Sequence, residues 1–233
     1  MRYIYMLPAA ILVPAIHEWV KAMVSAAQGD PAPRKHGYLT ANPFRYLEPI
    51  GFIFILFCGF GWGRPAPTTA LHYRDRQRGV ILTYTIPVLV NLLLGVVAVL
   101  GVRILAAGMV WPSFINLRHH ITFYLFTDNW FLRLEPNYIV ALLLAHFAIL
   151  NINMAIFNLI PVFPLAANKL MLTFSNPDTI ARLNHYEKPM QVILILLLVL
   201  SPRGLGFGGD GLLPHLLSFV TDRIVSIAWG LGI

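Results

Sequence analysis

His17 and Glu18 stand side by side near the end of the apolar run that opens the chain. A helix of the form His-Glu-x-x-His places two zinc-binding histidines one turn apart on one face, with the glutamate as general base on the zinc-bound water. Position 21 holds lysine instead. A protonated ammonium group has no lone pair for a metal ion and repels it by charge. The dipeptide alone leaves two interpretations open: the remnant of a metal site, or a polar pair buried between membrane helices.

The composition predicts an integral membrane protein. Of 233 residues, 58% are hydrophobic and 12% are charged, and the mean hydropathy is +0.69; an average soluble domain is far less apolar. Nearly uncharged stretches cover residues 3–16, 49–63, 79–102, 136–168, 189–202 and 211–221. A spanning helix needs ~20 residues, so the third and fourth stretches qualify alone. Because no alternating strand pattern recurs, we expect an all-α polytopic protein with about four to six transmembrane helices.

The net charge of +7 is concentrated in two short loops. Such basic loops are typical of the positive-inside pattern and of contact with anionic headgroups, so we expect the lipid bilayer, and not nucleic acid, as a partner. If the short second apolar stretch crosses the membrane, the two loops lie on opposite faces, which leaves the orientation open. The basic residues are Arg34, Lys35 and Arg45 in the first loop, and Arg64, Arg74, Arg76 and Arg78 in the second.

Several further blocks follow His17-Glu18 in order and with compatible spacing. Residues 37–43 read Gly-Tyr-Leu-Thr-Ala-Asn-Pro, residues 48–51 read Glu-Pro-Ile-Gly, and residues 59–67 read Gly-Phe-Gly-Trp-Gly-Arg-Pro-Ala-Pro. A proline–asparagine block follows at 87–91, and residues 157–167 read Phe-Asn-Leu-Ile-Pro-Val-Phe-Pro-Leu-Ala-Ala. Together these blocks resemble the site-2 protease family of intramembrane zinc metalloproteases in its compact bacterial form, over residues 12 to 200.

The resemblance implies a metal site that this chain retains only in part. The first histidine ligand matches His17 and the general-base glutamate matches Glu18, whereas the second ligand falls on Lys21 and the aspartate ligand on Ala166. A catalytic zinc ion needs three protein ligands and a water molecule, so we expect a vestigial site with no active catalytic residue, no bound metal and no cofactor. Zinc is expected only if the chain is an active protease with unconventional ligands.

A positive charge at position 21 suggests what replaces the metal. Lys21 follows Glu18 by three residues, so its ammonium group can stand near the place of the zinc ion and compensate the buried carboxylate. The alternative is that Lys21 extends to the membrane interface and pairs with nothing. Rescue of metal binding by His146 or Asn168 is a further alternative. An adjacent pair at His119 and His120 is a poor second metal site, because neighbouring residues of an extended segment point in opposite directions.

In the family that this chain resembles, asparagines flank the substrate strand, and the matching positions here are Asn91 and Asn158. Asn151 precedes Asn158 by seven residues and therefore shares its helix face. Hydrogen bonding between membrane helices explains all three asparagines equally well. The sequence therefore leaves a retained substrate groove and a purely structural polar cluster as alternatives.

We expect one membrane-embedded domain over residues 1–233, with the last segment, about 212–231, either spanning the membrane or lying at its surface. The sequence predicts a catalytically inactive site-2-protease-like protein that serves as a structural, assembly or regulatory subunit of a membrane complex. The bacterial cytoplasmic membrane is the expected location, and other membrane subunits are the expected partners. An active intramembrane zinc metalloprotease is the alternative function, and a transporter component is a weaker one.

Overall fold

The computed structural model describes residues 2–106, 136–162, 165–199 and 212–230. All regular structure in these ranges is helical, in agreement with the predicted all-α class, and two 3₁₀ turns at Pro43–Tyr46 and Ala70–His72 connect helices. His119, His120 and the glycine-rich stretch 204–211 lie outside these ranges. The helices are α1 (Arg2–Ala27), α2 (Ala32–Lys35), α3 (Pro49–Cys58), α4 (Arg76–Ala106), α5 (Pro136–Phe157), α6 (Ala166–Thr173), α7 (Pro177–His185), α8 (Glu187–Val199) and α9 (Leu212–Trp229).

Three helices in the described part of the chain are long and apolar enough to cross a membrane. They cover Ile4–Ala27 in α1, Arg76–Leu105 in α4 and Ile139–Phe157 in α5. The shortest has 19 residues, and at ~1.5 Å per residue it approaches the ~30 Å of the hydrocarbon core. These helices support the membrane class, and the larger count of four to six spans stays a prediction.

The bundle core forms where α4, α5 and α9 meet. Small residues allow the close approach of the first two helices: a Cβ added at Gly95 of α4 would lie 2.5 Å from the Ile152 side chain of α5. Val225 of α9 joins the same apolar cluster, so the last helix packs against the bundle instead of standing apart from it. The other buried members of this cluster are Ala98, Val99, Val102, Leu142, Ala145 and Ala148.

The second apolar stretch forms a hairpin and does not cross the bundle. Helix α3 has only 10 residues, which span ~15 Å, about half of the hydrocarbon thickness. The chain then returns without regular secondary structure, and two backbone hydrogen bonds bring the basic loops together: Arg64 N–H donates to Tyr46 O at 2.7 Å, and Arg74 N–H donates to Gln28 O at 3.1 Å. The two basic loops therefore pair with each other, with Arg74 at the end of α1 and the Arg64–Tyr46 bond nearer to Pro14 and Glu18, because Tyr46 O, Glu18 and Pro14 surround Gly63.

We call residues 59–69, which follow α3, the return segment. Glycines on both sides let it touch α3 directly: a Cβ on Gly51 of α3 would lie 2.1 Å from Trp62 O, and one on Gly61 of the segment would lie 2.3 Å from Gly51 O. Its first carbonyl, Gly59 O, accepts a hydrogen bond of 2.8 Å from Asn153 Nδ2 of α5, and Asn153 Oδ1 accepts one of 2.7 Å from Thr221 of α9. The return segment is thereby attached to the helix bundle at the end of α3.

Candidate functional site

The candidate site lies on the buried face of α1. His17, Glu18 and Lys21 are respectively 3%, 5% and 6% exposed. Lys21 Nζ lies 2.5 Å from Glu18 Oε2, so the two charges form a contact ion pair across the three-residue spacing that one helical turn provides. The side chain of Lys21 is buried and pairs with Glu18, so it does not extend to the membrane surface.

The Glu18 carboxylate also holds the return segment. Ala66 N–H donates a hydrogen bond of 2.7 Å to Oε2, the same oxygen that contacts Lys21. One carboxylate oxygen thus accepts from a charged and a neutral donor, and both interactions are buried. This contact was not predicted, because the return segment has neither a helical nor an alternating pattern that would place its backbone.

His17 belongs to a chain of side-chain hydrogen bonds that crosses three helices. Its Nδ1 lies 2.9 Å from Asn91 Oδ1 of α4, Asn91 Nδ2 donates to Asn151 Oδ1 of α5 at 2.9 Å, and Asn151 Nδ2 donates to Phe147 O at 2.8 Å. Because an amide oxygen can only accept, His17 Nδ1 carries the proton and donates. The imidazole is therefore fixed in one tautomer, and Asn91 and Asn151 serve as interhelical partners.

Ala166 begins α6 and lies in an apolar cluster with Val88 and Ala155. Asn158 organises the turn before it: its Oδ1 accepts from Ala166 N–H at 3.3 Å, and its backbone carbonyl accepts from Ala167 N–H at 2.9 Å. The amide group of Asn158 is thus bound to backbone, and the methyl group of Ala166 offers no metal ligand. The position that matches an aspartate ligand in the resembling family is an apolar packing residue here.

Tyr84 of α4 connects the ion pair with this apolar cluster. Its ring centroid lies 5.9 Å from Lys21 Nζ, within cation–π range, and its ring packs against the cluster that contains Ala166. Its hydroxyl group lies 3.1 Å from Thr68 Oγ1 of the return segment. Neither Tyr84 nor Thr68 was predicted from the sequence, since their roles depend on how the return segment folds over α4.

A second buried carboxylate holds the far end of the return segment. Asp30 accepts hydrogen bonds from Ser25 Oγ at 2.8 Å, from Ala32 N–H at 2.9 Å and from Thr69 N–H at 2.8 Å. Ser25 Oγ also lies 2.8 Å from Tyr73 Oη. Burial is the main cause that raises the pKa of Tyr73, so this phenol stays protonated. The return segment is therefore attached at two points: Ala66 bonds to Glu18 of α1, and Thr69 bonds to Asp30, just beyond the end of α1.

The described residues around His17 do not fit a zinc centre. In the ranges that the structure describes, no three His, Cys, Asp or Glu side chains come together in a way that could hold a metal ion, whereas zinc requires three such ligands in a catalytic site. His146 Nδ1 bonds to Leu142 O at 2.8 Å within its own helix. Asn168 is buried on α6, and an amide is a poor zinc ligand. Neither residue completes a ligand set with His17.

The fold and site define a helical membrane protein with a buried polar centre between α1, α4 and α5. Along its sequence the chain is 29% identical over 202 residues to "Putative zinc metalloprotease YwhC" of Bacillus subtilis (strain 168), which covers 86% of this chain and 82% of that relative. This similarity supports a relationship with a metalloprotease family. No protein-family model matches the chain, and no solved structure matches it.

Proposed function

We propose that the chain is a non-proteolytic, site-2-protease-like membrane protein in which the Glu18–Lys21 ion pair replaces a zinc centre. The observation that carries this proposal is the 2.5 Å contact between Lys21 Nζ and Glu18 Oε2. An ammonium group there supplies the positive charge that a buried carboxylate needs. It also blocks the second ligand position, since a protonated lysine cannot coordinate metal.

The engagement of Glu18 supports the same conclusion. A general base must be able to accept a proton from a reacting group at hydrogen-bonding distance. Glu18 Oε2 instead accepts from Lys21 and from the Ala66 N–H, so the carboxylate holds the return segment in place. The loss of a carboxylate at Ala166 is consistent with this, because without zinc a further buried negative charge would lack compensation.

On this basis we propose a role in which the scaffold itself is the functional part. A single membrane-embedded domain that keeps its buried polar network without hydrolysis is suited to a structural, assembly or regulatory subunit of a larger membrane complex. Because the relative comes from Bacillus subtilis, we propose the bacterial cytoplasmic membrane as its location. Affinity purification of the chain in mild detergent should recover other membrane proteins in a fixed ratio. Recovery of the chain alone would contradict the subunit role.

An active intramembrane zinc metalloprotease is the second candidate function. The similarity to a relative named as a zinc metalloprotease favours it, and so does the fixed tautomer of His17, because metal-binding histidines commonly donate their second nitrogen to a neighbouring acceptor. Such an enzyme would need ligands from other residues, such as His146, together with His17.

Metal analysis of purified protein separates the two candidates. We expect wild-type protein from zinc-supplemented cells to contain far less than one zinc ion per chain, and His17→Ala to contain no less than wild type. The double variant Lys21→His/Ala166→Asp restores the family's ligand set and is the positive control, with an expected content of about one zinc ion per chain. About one zinc ion in wild type, lost in His17→Ala, would overturn the non-proteolytic assignment.

A further inference from the structure

A cavity of about 820 Å³ opens at the membrane-surface end of the bundle. Its walls are the first turns of α4, the end of the return segment with the 3₁₀ turn after it, and α6 with the residues that follow it and the first turn of α7. This volume lies in the range of cavities that hold small organic ligands. The candidate site on α1 lies beyond Tyr84, which belongs to the cavity wall and also faces Lys21.

Cationic side chains line the outer part of the cavity. Arg76 of α4 and Lys169 of α6 line the cavity, and no aspartate or glutamate is among the lining residues. Lys169 Nζ also lies 3.4 Å from Glu187 Oε1, and the two side chains are 34% and 24% exposed, so the charge of Lys169 faces both that carboxylate and the cavity. The cavity therefore attracts anions, and the planar guanidinium group of Arg76 suits a phosphate group, which it can bind through two parallel hydrogen bonds.

Apolar and polar side chains share the wall of the cavity. Arg76, Val80 and Tyr84 all line it, and their four-residue spacing places them on one face of α4. Arg76 is the first residue of the candidate membrane span, so Tyr84 lies ~12 Å deeper along the helix axis. Leu172 and Ile180 form apolar wall opposite this face. The cavity thus combines two cationic side chains with an apolar wall, and Arg76 lies at the end of the candidate span, at headgroup depth.

We propose that this cavity binds an anionic phospholipid, with the phosphate group between Arg76 and Lys169 and the glycerol and first acyl carbons along Val80, Leu172 and Ile180. A soluble phosphate ester shares the phosphate chemistry and would satisfy the two cations. It would leave the apolar wall without a partner, which is why the observations favour the lipid. The assignment does not depend on whether the Glu18–Lys21 site binds zinc.

Lipid binding to the purified full-length chain tests the proposal. The probe is dioleoylphosphatidylglycerol, with dioleoylphosphatidylcholine as the uncharged comparison, and the readout is lipid retained per chain by native mass spectrometry. The variant is Arg76→Gln/Lys169→Gln. The matched control is Arg64→Gln/Arg74→Gln, which removes the same charge from two exposed arginines of the basic loops that do not line the cavity. We expect one tightly retained phosphatidylglycerol, at least about a tenfold loss of affinity in the cavity variant, and less than about a twofold change in the control.

Each other outcome overturns the assignment. Equal losses in the two double variants would mean that lipid binds the basic loops in general, and no loss in the cavity variant would mean that Arg76 and Lys169 hold no phosphate. If glycerol 3-phosphate displaces phosphatidylglycerol at similar concentration, the ligand is a soluble phosphate ester and not a lipid. If Lys169→Gln lowers the thermal stability of the chain, the phosphatidylglycerol affinity of the single variant Arg76→Gln, at an exposed position, is compared with that of Arg64→Gln instead.

Discussion

Replacing Lys21 by methionine removes the ammonium group that pairs with Glu18 and keeps a side chain of similar length. Both side chains of the pair are only 7% exposed, with 2.5 Å between Nζ and Oε2. Removing one partner of a buried ion pair costs about 3–5 kcal/mol, because the remaining charge is left uncompensated. Glu18 keeps its hydrogen bond from Ala66 N–H, so we expect the lower end of that range, ~3 kcal/mol.

The double variant Glu18→Gln/Lys21→Met separates a specific pair from general damage to α1. It removes both charges and keeps an amide oxygen for Ala66 N–H, so we expect its free energy of unfolding to lie within ~1 kcal/mol of the wild-type value. The free energies are measured by titration with sodium dodecyl sulfate in mixed micelles, for the two single variants and the double variant. We expect a coupling energy between positions 18 and 21 of at least ~2 kcal/mol.

The chain contains a matched control for this cycle. Arg78 and Asp75 have the same three-residue spacing, but their side chains are 83% and 53% exposed and their closest atoms are 3.5 Å apart. Arg78→Met should change the free energy of unfolding by less than ~1 kcal/mol, as exposed pairs do. A loss in Lys21→Met no larger than that in Arg78→Met, or a loss in the double variant equal to the sum of the two single losses, would mean that Glu18 and Lys21 do not form a stabilising pair.

Two further substitutions test the surroundings of the site. Asn91→Ala removes the link between His17 and Asn151 and leaves buried polar atoms unpaired. The free energy of unfolding should therefore fall by about 2–4 kcal/mol in the same titration. A fall of less than ~1 kcal/mol would mean that the packing of α1 and α5 against α4 does not depend on this link. Gly51→Ala places a methyl carbon 2.1 Å from Trp62 O, which forces α3 and the return segment apart. Limited proteolysis should then cleave the variant near residue 62 faster than it cleaves wild type. An unchanged cleavage rate would contradict the hairpin.

The predicted parts of the site are those that depend on one helix. The spacing of Glu18 and Lys21 predicted that their side chains can meet, because helix geometry fixes which residues share a face, but it left open a Lys21 that extends to the membrane interface. The apolar composition likewise predicted the long helices α4 and α5, which contain the two stretches that qualify alone as spans. The sequence did not reveal which asparagine contacts His17, because that depends on how α1 and α4 are placed along each other, and helix packing leaves several such placements open.

The unpredicted parts involve the return segment. Its extended backbone carries no periodic signal, so neither the hydrogen bond from Ala66 to Glu18 nor the contact of Thr68 with Tyr84 could be read from the residues. The length of α3 was equally open, since an apolar stretch of 15 residues, 49–63, fits a short span as well as a hairpin. Gly59 sets the length of α3, because its left-handed φ of 75° ends the helix and turns the chain back.

Anomalous diffraction at the zinc absorption edge, from crystals of protein purified with zinc present, tests most directly whether Lys21 occupies the place of a metal. We predict no anomalous peak at ~2.1 Å from the His17 imidazole nitrogens, with the Lys21 ammonium group seen in contact with Glu18. A zinc peak at that distance, with Lys21 turned away from the Glu18 carboxylate, would contradict the account.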